Sequence, residues 1–213
     1  MLRLVPRSQP PGAPKDEREA GLVDRARSGD RDAQQQLLLE QLPRVRRLVT
    51  RLLGGGPDVD DVVQVACVET LKSLRRFRGD ASFALWTDRV TTNVVYKHFR
   101  SNRRRRARIA LVEDPDRAPD TLDSTRRMEM RNVIEHARAI VEQVKPERRV
   151  VFLLVAVDGR TVEEAAAMLD LSLSAAKSRY LRARRDIDAM LADRPDLAAA
   201  FSSRGGDEEV VDG

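Results

Sequence analysis

Thr161-Val162-Glu163-Glu164-Ala165-Ala166-Ala167-Met168-Leu169-Asp170-Leu171-Ser172-Leu173-Ser174-Ala175-Ala176-Lys177-Ser178-Arg179-Tyr180 reads as two short helices around a tight turn, the second running on into Leu181-Arg182-Ala183-Arg184-Arg185. Leu173, Ala176, Tyr180, Ala183 and Ile187 recur every three or four residues, an apolar stripe for packing on the helix before. Ser174, Lys177, Ser178, Leu181, Arg182 and Arg185 make the opposite face. Between Ser172 and Arg185 stand five basic residues, Lys177, Arg179, Arg182, Arg184 and Arg185, and no acid. A helix charged with one sign repels itself, and phosphate is its natural compensation. The pattern predicts a helix-turn-helix that places its second helix in a DNA major groove. The competing structural reading is a solvated face on an ordinary bundle. The turn residues and the one-sided charge together favour DNA.

Composition sets the wider frame. The chain has 213 residues, 41% hydrophobic, 34% charged and only 4% aromatic. Such a balance supports helices and real cores, and argues against a sandwich or barrel. Thirty-nine bases against 34 acids leave a formal charge of +5, so the distribution of charge matters more than its sum. One cysteine, Cys67, falls between Val63 and Leu71 on an apolar helix face, which suits core packing and excludes a disulfide framework. No apolar run reaches the roughly 18 residues of a membrane span, and the segment with Pro6, Pro10, Pro11 and Pro14 lacks a signal-peptide core. The expected location is the cytoplasm.

Shifts in composition divide the chain. Residues 1–19 are Pro-rich and polar, and are expected to be disordered. Residues 20–106 are expected to form a four-helix domain. Its first helix runs from Asp30 to Glu40, and a second starts at Pro43 and reaches Leu53 with Val45, Leu48, Val49 and Leu52 inward. Gly54-Gly55-Gly56-Pro57 is a break. Asp58 or Asp60 should cap the next helix, whose stripe is Val62, Val63, Ala66, Cys67, Thr70, Leu71 and Leu74. Phe77-Arg78-Gly79-Asp80 forms a loop, and Ser82 caps a helix to about Arg105 with Phe83, Trp86, Val90 and Val94 buried. Residues 107–123 carry Glu113, Asp114, Asp116, Asp120 and Asp123 with two prolines, a flexible acidic linker that leaves the spacing of the two halves unset. Residues 124–192 hold a helix marked by Val133, Ile134, Ala137, Ile140, Val141 and Val144, another from Arg148 to Val157 stopped by Gly159, and the helix-turn-helix. Residues 193–213 form an acidic tail.

The first domain carries a second nucleic-acid signal. Arg89, Asn93, Lys97, Arg100 and Arg104 follow one another at four, four, three and four, on the face opposite Phe83, Trp86, Val90 and Val94. Positive charges there can track a backbone while the Asn93 amide bonds a base. Trp86, Tyr96 and Phe99 lie on or near this helix, and aromatics beside cations suit unstacked single strands. Core packing is the equal alternative for Trp86.

Asp60-Asp61-Val62-Val63-Gln64, then Phe77-Arg78-Gly79-Asp80-Ala81-Ser82-Phe83-Ala84-Leu85-Trp86, then Asn93, a basic helix end, an acidic linker and the Lys177-Ser178-Arg179 helix-turn-helix follow in order. From about Val23 to Leu191 this resembles the bacterial sigma factors of the extracytoplasmic-function group of the sigma-70 family. The resemblance implies that the first domain binds the clamp coiled coil of core RNA polymerase through Asp60, Asp61 and Gln64. It further implies that this domain opens the minus-ten promoter element, with the Arg78–Leu85 loop and Asn93 holding a flipped base. Arg78, Gly79, Asp80, Trp86, Arg89, Asn93, Lys97 and Arg100 would form the minus-ten surface. The second domain would sit on the polymerase flap and read the minus-thirty-five duplex through Ser174, Lys177, Ser178, Leu181 and Arg182. An anti-sigma factor is an implied further partner. Asp60 and Asp61 can serve equally as helix caps. Three positions depart from the family pattern: Lys97 and Val65 stand where acids are common, and Asp170 where glycine is usual. Asp tolerates the left-handed backbone a turn requires.

An enzyme has little to stand on. Neither His98 nor His136 has a Cys or second His at ligand spacing, and no Gly-rich phosphate loop or Ser-His-Asp set occurs. No cofactor, metal or small-molecule substrate is expected. The main rival is a free-standing helix-turn-helix regulator with a sensing N-terminal half, which predicts a dimer on a palindromic site. A nonspecific nucleic-acid coating protein would show no sequence preference.

Overall fold

The computed structural model describes residues 17–109 and 135–192, all of them helix or connecting turn. The first bundle consists of α1 (Glu17–Ser28), α2 (Arg31–Leu53), α3 (Asp58–Ser73) and α4 (Phe83–Ile109). The second consists of α5 (residues 135–143), α6 (Pro146–Phe152), α7 (Val162–Leu169) and α8 (Leu173–Leu191). The expected all-α architecture of two helical domains is the one observed. The acidic linker, most of the N-terminal segment and the acidic tail lie outside the described residues.

Several local expectations change. Helix α1 starts at Glu17, inside the segment expected to be disordered, because Leu22, Val23 and Ala26 find a core to bury in. Pro43 does not start a new helix but lies within continuous α2. A proline in a helix interior costs about 3 kcal/mol, partly by removing the donor to the carbonyl four residues back. That carbonyl belongs to Leu39, which is 59% exposed and can bond water instead. Burial of Leu37, Val45 and Leu48 on either side, about 1.5–3 kcal/mol each, outweighs the loss. Neither Asp58 nor Asp60 caps α3: Pro57 occupies the cap position, and Asp58, Asp60 and Asp61 lie in the first turn, where their charge complements the helix dipole. Gly54, Gly55 and Gly56 all adopt positive φ, which explains the glycine run. The helix expected from Arg148 to Val157 becomes α6 followed by a π turn, Leu153–Val157.

The apolar residues form two cores of unequal size. The smaller joins α1, the first half of α2 and the loop before α4: Leu22, Val23, Ala26, Ala33, Leu37, Leu74, Phe77 and Phe83. The larger contains Val45, Leu48, Val49 and Leu52 of α2, Val62 and Val63 of α3, Val95 and Phe99 of α4, and it continues without interruption into Val150, Val151, Leu154, Met168 and Ile187 of the second bundle. The two bundles are therefore packed together, rather than set at an open spacing as the linker suggested. Helix α4 lies against α6 and α7, and α2 against the π turn.

Candidate nucleic-acid interface

The helix-turn-helix is built by local hydrogen bonds that its sequence encodes. Thr161 caps α7: its hydroxyl accepts from the Glu164 backbone N–H at 3.1 Å, and the Glu164 carboxylate accepts from the Thr161 N–H at 2.9 Å, a reciprocal box. Asp170 ends α7 at φ 55°, the only positive-φ residue other than glycine among those described. Ser172 then caps α8, accepting from the Ala175 N–H at 3.2 Å. Ala165 and Met168 of α7 and Ala176, Ala183 and Ile187 of α8 are buried, so small side chains let the two helices approach closely. Tyr180 stacks on Phe152 with centroids 6.2 Å apart, and Arg148 pairs with Asp186 at 2.7 Å, which ties α8 to α6.

This packing turns the outer face of α8 to solvent. Ser174, Lys177, Leu181, Arg182, Arg184 and Arg185 are exposed, and Ser178 and Arg179 half-buried. Among the described residues, Lys177, Arg182, Arg184 and Arg185 have no acidic partner, so their charges remain available. Leu173, expected in the inward stripe, is 40% exposed at the first turn of the helix.

A second basic face lies on α4, where Arg89, Asn93, Lys97, Arg100 and Arg104 are all exposed. The Asn93 amide donates to the Arg89 carbonyl at 3.0 Å, which holds the side chain along the helix, and its oxygen makes no bond among the described residues. Arg100 lies over the Tyr96 ring at 5.8 Å. Phe99 cannot stack on a base as the aromatic pattern suggested: it is 6% exposed and its ring is covered by the Arg149 guanidinium at 4.9 Å. Trp86 is half-buried against Phe77 and Phe83, with centroids 5.4 and 5.5 Å away, so packing accounts for most of its surface. Phe77 and Phe83 meet edge to face at 5.4 Å.

These three rings support the loop before α4. Arg78 and Asp80 are exposed on it, Gly79 takes φ 80°, and Ser82 caps α4 through the Leu85 N–H at 3.3 Å. Between the loop residues Phe77, Arg78 and Gly79 and the α1 residues Glu19, Asp24 and Arg27 lies a cleft of about 150 Å³. Helix α1 was absent from the sequence reading, and so was this wall. The signal was present in the four-residue rhythm of Leu22 and Ala26 before Gly29.

The residues assigned to polymerase share the start of α3. Asp60, Asp61 and Gln64 are exposed, Asp60 pairs with Arg46 at 2.7 Å, and the exposed apolar Val65 and Val68 lie beside them. Cys67 is half-buried, and burial raises its thiol pKa above the usual value. His98 contacts Asp58 at 3.4 Å and Asn102 at 2.9 Å. No metal-binding group of side chains occurs among the described residues, and no described helix is long and apolar enough to cross a membrane.

A buried ion network, unforeseen in the sequence, joins the bundles. Asp88 of α4 is 1% exposed and accepts two hydrogen bonds from Arg44 of α2, each at 2.7 Å, and one from Arg160 at 2.9 Å. Arg160, just before α7, also binds Asp158 at 2.9 Å, and Asp158 receives Arg51 of α2. Burial opposes the charge on Arg160, but the Asp158 hydrogen bond and the charges of Asp158, Asp88 and Glu164 outweigh it and raise its pKa.

Comparison with known proteins agrees with both halves. Residues 37–105 match the model for sigma-70 region 2, and residues 135–187 that for sigma-70 region 4. The RNA polymerase sigma-H factor of Pseudomonas aeruginosa is 28% identical over 182 residues, covering 82% of this chain and 94% of the relative. The ECF RNA polymerase sigma-E factor of Escherichia coli K12 is 31% identical over 174 residues, covering 78% and 91%. Among solved structures, CnrH in complex with the cytosolic domain of CnrY superposes with a TM-score of 0.53 at 25% identity, covering 83% of this chain and 98% of CnrH. Two helical halves, each with an exposed basic face and each matching its own sigma region, place the chain in the extracytoplasmic-function group of the sigma-70 family.

Proposed function

We propose that this sigma factor binds core RNA polymerase in the cytoplasm, reads a minus-thirty-five element as duplex through α8, and melts a minus-ten element on α4. The observation that carries the reading is the presence of two separate, solvent-facing basic faces with different chemistry. On α8, Lys177, Leu181 and Arg182 project from a helix whose other side is packed, the form that suits a major groove. On α4, the exposed cations Arg89, Lys97 and Arg100 flank an amide, Asn93, and the loop of Arg78, Gly79 and Asp80 with its cleft against α1 lies at the start of the same helix. This second arrangement suits an extruded base more than a duplex edge. Asp60, Asp61 and Gln64 with Val65 and Val68 offer a mixed acidic and apolar surface for the polymerase clamp. Catalysis belongs to the polymerase. CnrH was solved with the cytosolic domain of CnrY bound, which supports a protein partner here also, and we take that partner to be an anti-sigma factor.

The test is reconstitution of the full chain with core polymerase on genomic DNA, followed by sequencing of transcript starts. Starts at defined sites that share two elements are expected. Tight dimeric binding of a palindrome by the protein alone would instead establish a free-standing regulator.

A further inference from the structure

Three aromatic side chains lie on or beside the basic face of α4, and packing removes two of them as partners for a base. Phe99 is 6% exposed under the Arg149 guanidinium, and Trp86 rests against Phe77 and Phe83. Tyr96 differs from both. At 3.6 residues per turn it falls inside the sector, about 120° wide, that Arg89, Asn93, Lys97, Arg100 and Arg103 span. The side chain packs in part on the larger core, which anchors it, and the remainder is open to solvent. The Arg100 guanidinium lies over the Tyr96 ring at 5.8 Å, close enough for a cation–π contact. Arg100 is itself exposed, so the pair presents a guanidinium held against an aromatic ring to whatever the face binds.

The charge around this pair selects the ligand. Arg89, Lys97, Arg103 and Arg104 are exposed with no acidic partner among the described residues, and the one acid of α4, Asp88, is 1% exposed and outside the basic sector. A polyanion is the complement of such a surface. Duplex DNA offers phosphates but keeps its base faces stacked on one another, whereas an unpaired strand offers phosphates and open base faces together. Asn93 precedes Tyr96 by three residues, which sets their Cβ atoms about 5–6 Å apart, wider than the ~3.4 Å between stacked bases. We infer that Tyr96 and Arg100 form a stacking platform for single-stranded DNA, which receives the base next to the one that Asn93 bonds. The inference deepens the melting surface proposed above, and rests on that reading for the identity of the strand, the opened minus-ten element. The platform takes a base by its face and so tolerates any sequence, while the Asn93 amide discriminates among base edges.

The test uses the full-length chain without polymerase, titrated with a single-stranded oligodeoxynucleotide carrying 2-aminopurine, whose fluorescence falls when the base stacks. The unmodified protein should quench the probe on binding. Tyr96→Leu keeps an apolar side chain on the core, as circular dichroism would verify, yet should lose the quenching and bind about fivefold more weakly or worse, with its salt dependence unchanged. Tyr96→Phe should restore both. Arg100→Lys keeps the charge and loses the planar guanidinium, so it too should bind more weakly, whereas a mere phosphate contact would hold the unmodified affinity. Quenching and affinity in Tyr96→Leu equal to those of the unmodified protein, failure of Tyr96→Phe to restore them, or unmodified affinity in Arg100→Lys would each overturn the platform. With core polymerase on a promoter, Tyr96→Leu should shorten the lifetime of the open complex by a similar factor. If Tyr96→Leu loses the quenching that the unmodified protein shows, but polymerase with the unmodified protein opens no promoter, the platform stands and the sigma reading fails.

Discussion

Replacing Phe83 with alanine tests whether the aromatic cluster supports the loop before α4. The ring is 2% exposed, meets Phe77 edge to face at 5.4 Å, and lies 5.5 Å from Trp86. Buried Phe→Ala changes cost about 3–5 kcal/mol, and aromatic pairs of this geometry are worth about 0.5–1.5 kcal/mol within that loss. The ring also borders an open cleft, so its neighbours can collapse into part of the space, which favours the lower end, about 3 kcal/mol. Trp86 is the only tryptophan, so its fluorescence reports on this cluster during urea unfolding. With an m value of about 2 kcal/mol/M, the midpoint should fall by about 1.5 M. Phe83→Leu should lose less than half as much. A midpoint shift under about 0.5 M at unchanged m would show that the rings do not hold the loop, and the cleft would lose its structural basis.

On α8, Arg182→Ala should relax preference at one minus-thirty-five base by about 1–3 kcal/mol, whereas Arg184→Ala should mainly lower the salt dependence of binding; equal weakening on all sequences in quantitative gel shifts would contradict this assignment of faces. Asn93→Ala should leave polymerase binding intact and impair strand separation, read as reduced permanganate reactivity of promoter thymines, with incomplete rescue on a premelted template; wild-type opening would move the base site to the α1 cleft. Asp30 caps α2, and its pKa is lowered by the Ala33 backbone N–H and then by Arg25. A carboxylate with a depressed folded-state pKa contributes stability above its unfolded value, and that contribution disappears as pH falls through the folded one. The stability gap between the wild type and Asp30→Asn should therefore be present at neutral pH and shrink below about pH 4; a gap independent of pH would rule out the charged cap.

What could be read from the chain alone divides along a physical line. The helix-turn-helix was legible because its determinants are local: Thr161 and Glu164 cap within one turn, Ser172 caps the next helix, and Ala176, Ala183 and Ile187 repeat with the helical period. The exposure of the α4 basic residues was legible for the same reason, but not the side they oppose: Trp86 and Val90 of the expected buried stripe are half-buried, while Asp88, Thr91, Thr92, Val95 and Phe99 are buried. Pro43 was misread because the local rule that proline opens a helix was overridden by burial on both sides of it. Phe99 resembled a stacking platform until Arg149, 50 positions further on, covered it. Asp88 and Arg160 are 72 residues apart, and no periodicity announces such a pair. The one hint was Asp88 itself, the sole acid on its helix.

Pro43 has a consequence for how the molecule breathes. It falls where α2 passes from the smaller core, through Ala33 and Leu37, to the larger one, through Val45 and Leu48. The missing backbone bond thus marks a seam between two stretches of one helix that answer to different neighbours. Opening of the smaller core can peel residues 31–42 away while residues 45–53 remain protected, since partial openings follow such contiguous units. Amide hydrogen exchange should therefore break sharply at Pro43, faster before it and slower after. The end of the molecule proposed to receive an extruded base would then be softer than the body that holds the two bundles together.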